Sequence, residues 1–250
     1  MTDAIALAPS AYLIIFLTLS CAYVIFGIAG FGSALLASPV LALYLPVTKI
    51  VPLLALIDMC AAFFNVRRDA RKADWPELRR LVPLMVVGSL VGAAILLTTR
   101  PVLLELALGV FAVGYALYSL IGKKPQRHFQ PLAVLPFGLI GGVFSALFGS
   151  GGFVYVIYLA GRLGDKNAIR ITQSTLIGLS TMTRVIIFAL AGVYLDTSLL
   201  WLALVLAPGM LVGVTVGRRM TLKMSREQFL RLINCVVLAS GVALIVRYFF

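Results

Sequence analysis

The chain has 250 residues, 62% of them hydrophobic and only 12% charged, with a mean hydropathy of +1.07. Soluble domains carry roughly a quarter charged residues, so a water-facing globular surface is excluded, and the apolar runs lack the alternation of a membrane β-barrel. The formal charge of +12 does not point to nucleic acid, because the basic residues sit in short loops between apolar runs, the pattern of a polytopic helical membrane protein.

In chain order, the first apolar segment covers 10–31 and has only Asp3 ahead of it, with no A-x-A site, so no cleavable leader is expected. It runs into Gly27, Gly30, Gly32 and Ser33, resumes at 33–45 and stops at Pro46. A span needs about 20 residues, so 33–45 is too short to cross. The segment 50–66 places Asp58, Ala61, Ala62 and Asn65 on one helical face. Segments 81–99 and 102–121 complete the first half, with Glu105 near the outer interface.

After the basic stretch 123–130, which contains His128 and reads as a solvated loop, the order repeats. The second half holds 131–149, a short 152–161, then 169–192, 199–217 and 228–249. The segment 169–192 carries a stripe of Gln173, Ile177, Ser180 and Arg184, with Ser174 and Thr181 beside it. Cys21, Cys60 and Cys235 fall in apolar runs without metal-ligand spacing and are expected to be buried free thiols.

The two sets of five segments match in detail. Pro83, Gly88 and Gly92 in the fourth segment correspond to Pro208, Gly213 and Gly217 in the ninth, 125 residues later. The glycine breaks correspond too: "GFGS" at 30–33 and "GSGG" at 149–152. The expected organisation is a first repeat at 1–122, a cytoplasmic linker at 123–130 and a second repeat at 131–250. An odd number of crossings per half, counted with or without re-entrant hairpins, makes the second repeat inverted. On that topology seventeen basic residues lie on one side and three on the other, with Arg184 left inside a span. The basic side is then cytoplasmic and both termini are outside. The small-residue faces at Gly88/Gly92 and Gly213/Gly217 allow helix contacts within one chain or in a homodimer.

Backbone that leaves the helix in a bilayer must be buried in protein or line a wet cavity. Interrupted helices at matching positions of two inverted halves point to a transporter's substrate site near the midplane, and helix N-termini aimed there suit an anion. The competing reading is two kinked packing helices with no ligand. Candidate anion-binding residues are Gly30, Gly32, Ser33, Gly149, Ser150, Gly151, Gly152, Gln173, Ser180 and Arg184. Asp58 and Asn65 are candidates for coupling or gating. A charge in mid-bilayer normally faces a partner or a cavity. Asp58 and Arg184 therefore either pair structurally, or Arg184 binds solute while Asp58 gates or takes a proton. No Ser/His pair, His/Glu cluster, CxxC or nucleotide-binding loop is present, so neither an enzyme, a metal site nor a cofactor is expected.

"GIAGFGSALLASPVLAL" (27–43) resembles the first glycine-rich hairpin of the TauE/SafE-type sulfite exporters, also called the TSUP or 4-toluene sulfonate uptake permease family. "GLIGGVFSALFGSGGFVYVIYLAG" (138–161) resembles its second copy, and "KNAIRITQSTLIGLSTMTRVIIFALAG" (166–192) the segment that follows. The family motif usually has three glycines in a row; here the run is Gly32, Ser33, Ala34, so the tip offers a hydroxyl. The resemblance implies an inverted-repeat secondary carrier of the bacterial inner membrane, acting on sulfite, organosulfonates or small carboxylates, often outward. Its partners are then a small anionic solute and the lipid bilayer. Proton-coupled anion uptake, with Asp58 as the central carboxylate, is the alternative; a non-transporting membrane scaffold is the other.

Overall fold

The computed structural model describes residues 9–29, 32–66, 72–121, 129–219 and 226–249. Among them the fold is all-helical. In the first half lie α1 (Pro9–Ala29), α2 (Ser33–Leu41), α3 (Val47–Val66), α4 (Trp75–Thr98) and α5 (Pro101–Ile121). In the second lie α6 (Val134–Phe148), α7 (Gly152–Arg162), α8 (Lys166–Leu190), α9 (Thr197–Arg219) and α10 (Arg226–Phe249). Among the described residues five stretches, on α4, α5, α6 with the short turn before it, α8 and α9, are long and apolar enough to cross a membrane. Large apolar side chains such as Leu13, Val87 and Leu204 are exposed on the outer surface, where lipid rather than water is the compatible neighbour. This is a multi-pass membrane protein.

The interrupted segments fall where the glycines predict. At 9 and 11 residues, α2 and α7 extend about 14 and 17 Å at 1.5 Å per residue, about half of a bilayer core. Two starts come earlier than hydropathy implies. Asp74 accepts from the Glu77 amide and opens α4 at Trp75, and Asp165 accepts from the Ala168 amide and opens α8 at Lys166. Both first turns are polar, so an apolar-run reading misses them while the N-cap satisfies their amides. In the other direction, α2 stops at Leu41, and residues 42–45 form turns through bonds such as Leu45 N–H to the Leu41 carbonyl (2.8 Å).

The packing repeats with its partners exchanged. The first helix of each half lies against the fourth helix of the other: α1 on α9, and α6 on α4. The pairs α3 with α8 and α5 with α10 each join equivalent helices of the two halves. Glycine permits both α1–α9 and α6–α4 approaches. A methyl group on Gly88 would stand 2.2 Å from the Leu139 carbonyl oxygen, and one on Gly213 would stand 2.4 Å from that of Ser20. Gly92 and Gly217 meet Val143 and Val24 in the same way. Both small-residue faces are thus occupied within the chain.

The cysteine expectation is corrected. Cys21, Cys60 and Cys235 are free, but all three are exposed on the helix surface rather than buried. A thiol is apolar enough to face lipid, so hydropathy alone does not assign it to the interior.

Helix contact without side chains gives the first test. Gly88→Val and Gly213→Val are each expected to destabilise the purified protein by about 1–3 kcal/mol through overpacking, read as a lowered melting temperature in detergent. Gly114→Val, where an added methyl meets nothing within 4 Å, should leave the melt unchanged.

Candidate functional site

The two broken hairpins meet inside the bundle. At the second, Gly149 ends α6 with φ +69°, and at the first, Gly32 precedes α2 with φ +97°. Gly149 and the Ala34 side chain approach so closely that a methyl on Gly149 would lie 2.7 Å from the Ala34 Cβ. The carbonyl of Phe148, at the broken end of α6, accepts from Ser38 of α2 and from Ser150, both at 3.1 Å. Side-chain hydroxyls thereby replace the helix bond that the break removes. Gln173 of α8 donates to the Gly152 carbonyl at 3.2 Å and steadies the start of α7.

Neither Gly32 nor Gly151, the residues that cap α2 and α7, has a side chain to occupy the first-turn amides. The opening amides of a helix have no acceptor in the turn before them, although the Val154 amide of α7 already bonds the Gly151 carbonyl at 3.1 Å, and both helix starts carry the positive end of a dipole. Gly32, Ser33 and Leu35 from one hairpin and Gly149, Ser150, Gly151, Gly152 and Phe153 from the other line a common cavity. Its volume is about 20 Å³, room for roughly one or two waters.

Arg184 and Asp58 complete the wall. Arg184 is 2% exposed and Asp58 5%. They form an ion pair through Arg184 Nη2 and Asp58 Oδ2 at 3.4 Å, longer than the usual charge-assisted bond of about 2.7–2.9 Å. Nη2 also donates to Thr181, one turn earlier on α8, at 3.1 Å. Asp58 Oδ1 is held better, accepting from the Tyr23 hydroxyl at 2.7 Å and from Ser33 at 2.8 Å. Arg184 Nε and Nη1 are buried without a hydrogen-bond partner among the described residues, and so is the Tyr155 hydroxyl. Such orphan donors are costly in a low-dielectric interior; here they belong to residues that line the cavity.

Of the residues singled out from sequence, Gly32, Ser33, Asp58, Gly149, Ser150, Gly151, Gly152, Ser180 and Arg184 line one cavity. Gln173 stands behind it, on the hairpin backbone. Gly30 and His128 lie outside the described residues, as does the Asn65 side chain. Asp58 and Arg184 do pair, and Arg184 still keeps free donors. Sequence reasoning missed Tyr23, Ser145 and Tyr155. Ser145 shares a 2.7 Å hydrogen bond with Ser180, and the Tyr155 ring lies against Gly141, where no side chain intervenes. A tyrosine deep inside a span needs a hydroxyl partner, a signal that would have flagged Tyr23.

The far end of α7 is also held. Glu77 of α4, 5% exposed, accepts from Tyr158 at 2.7 Å and from Arg162 Nη2 at 2.7 Å and Nε at 3.1 Å. Arg162 in turn donates to the Phe129 carbonyl at 3.2 Å. One end of α7 therefore touches the cavity and the other is clamped to α4 and to the chain before α6. At the opposite surface, Lys49 pairs with Asp196 at 3.1 Å. The Ser198 hydrogen bonds, and then Lys49, hold the Asp196 carboxyl below its ordinary range.

A family model described as Sulfite exporter TauE/SafE matches residues 15–244. No curated protein and no solved structure matches the chain.

The left-handed backbone at Gly149 sets a second test. Gly149→Ala is expected to cost about 1–2 kcal/mol from conformation alone, more with the added contact on Ala34, and to lower the melting temperature. Gly164→Ala, with open space around the new methyl, is the matched control and should melt like the parent.

Proposed function

The chain belongs to the sulfite exporter TauE/SafE family, a family of membrane transporters, and on that footing we propose that it is a secondary transporter exporting a small anion through the pocket between its hairpins. One observation carries this reading: Arg184, sunk in the interior, has a single carboxylate partner and leaves Nε and Nη1 open beside a cavity. Two helix N-termini border the same space, and because the Ser33 and Ser150 hydroxyls already donate to Asp58 and to the Phe148 carbonyl, the guanidinium and the first amides are the donors an anion meets there. Sulfite, an organosulfonate or a small carboxylate brings oxygens that these donors complete.

In this mechanism Arg184 supplies charge, and the amides after Gly32 and Gly151 surround the anion's oxygens. Gln173 shapes the second tip through the Gly152 carbonyl. Asp58, with Asn65 about two turns further along α3, acts in gating or coupling. Binding occurs near the midplane, and the halves 1–122 and 131–250, joined by 123–130, rock about it as inverted repeats; the exchanged helix partners support that relation. The basic loops face the cytoplasm of a bacterium whose inner membrane holds the protein, with both termini outside. With the interior negative, export of each negative charge gains about 2.3 kcal/mol per 100 mV, so outward flux needs no coupling ion. No observation favours proton-coupled uptake, since Asp58 already accepts from Tyr23, Ser33 and Arg184.

Sulfite efflux from proteoliposomes tests the reading. Arg184→Ala should reduce efflux by on the order of 100-fold, the loss of one or two hydrogen bonds to a charged group, while a folded Arg184→Lys retains part of it. An inside-negative potential should accelerate efflux by the parent. Equal flux through a folded Arg184→Ala protein excludes this residue as the anion site.

A further inference from the structure

We infer that the Asp58 carboxylate is a tethered stand-in for the transported anion, occupying Arg184 while the site is empty and competing with the incoming solute for it. The inference rests on the transport reading above and adds the competitor that reading lacks.

The geometry of the pair is the argument. The two Asp58 oxygens are held unequally: Oδ1 takes short bonds from Tyr23 and Ser33, at 2.7 and 2.8 Å, while Oδ2 reaches Arg184 at 3.4 Å. The Arg184 contact is the weakest of the three, and the only one that crosses to the second half of the chain. Arg184 has its own support from Thr181, so it keeps an orientation without Asp58. Separating the pair therefore strands neither group entirely. Asp58 retains two donors on α1 and α2, and Arg184 retains Thr181 plus whatever enters the cavity.

The reverse state explains why a carboxylate stands there at all. A buried guanidinium with no counter-charge is expensive in a membrane interior. An anion that leaves a site lined only by Arg184 and helix dipoles would leave that cost behind, and release would be slow. Asp58 takes over the guanidinium as the solute departs, which lowers affinity and hastens release. It acts through Arg184 and not on the solute, so it is a positioning residue. Ser33 belongs to the same device, since its hydroxyl holds the carboxylate in reach.

The test measures sulfite and thiosulfate binding by calorimetry, and efflux in proteoliposomes, for the parent, Asp58→Asn and Arg184→Ala. Competition predicts that Asp58→Asn binds sulfite tighter, on the order of tenfold, within the usual span of coupling between sites. Its KM should fall together with its maximal rate, a split that simple structural damage does not produce. Binding by folded Asp58→Asn that is unchanged or weaker overturns the inference and leaves the transport reading standing. Absence of binding to the parent, or undiminished binding by Arg184→Ala, overturns both. Should Asp58→Asn not fold, infrared difference spectra of the parent decide. Saturating sulfite should shift a buried carboxylate stretch as Arg184 is withdrawn, and carboxylate bands that stay unmoved overturn the inference.

Discussion

A hydrocarbon layer supplies no hydrogen bonds, and the interior of this protein is arranged around that constraint. Arg184 is tolerable at its depth because α8 delivers Thr181, α3 delivers Asp58, and α1 and α2 in turn hold Asp58. The same constraint governs the hairpins. A helix that stops in mid-membrane leaves carbonyls and amides open. The carbonyl side of the second break is closed by Ser38 and Ser150. The amide sides of α2 and α7 have no side-chain caps and face the cavity. At the second break the Phe148 carbonyl is closed, while Arg184 beside it keeps Nε and Nη1 open, which is the asymmetry an anion site requires.

Helix association in lipid cannot lean on the hydrophobic effect, because the surroundings are as apolar as the side chains. Close contact has to be made by removing side chains. Gly88, Gly92, Gly213 and Gly217 do this on α4 and α9, and each pair receives the backbone of the opposite half's first helix. Those first helices carry the breaks. The tight glycine contacts thus anchor one leg of each hairpin, while α2 and α7 are held by buried side chains, Leu36 and Leu41 on the first and Tyr155 and Leu159 on the second, together with side-chain hydrogen bonds. For α7 the bond is a cluster around Glu77, at the end remote from the pocket.

Most of the architecture was legible in sequence, for physical reasons. Apolar runs mark helices in lipid, glycines among them mark the breaks, and charges are so rare there that Asp58 and Arg184 stood out. What escaped notice was of two kinds. Helix starts at Trp75 and Lys166 were hidden because polar first turns carry no hydropathy signal, only an aspartate cap. Partners distant in the chain were hidden because spacing says nothing of them: Tyr23 meets Asp58 across 35 residues and Asp58 meets Arg184 across 126. The reversed orientation of the cysteines belongs with the second kind, since either face of an apolar helix reads the same.

Those outward-facing thiols have a practical consequence. Cys21, Cys60 and Cys235 lie within the lengths of α1, α3 and α10 and are exposed on the helix surface, so where that surface meets lipid they stand against acyl chains. Charged, membrane-impermeant maleimides or methanethiosulfonates arrive from water and do not partition there. A single cysteine placed along the path to the pocket would then be the group such reagents find, with the native background left in place.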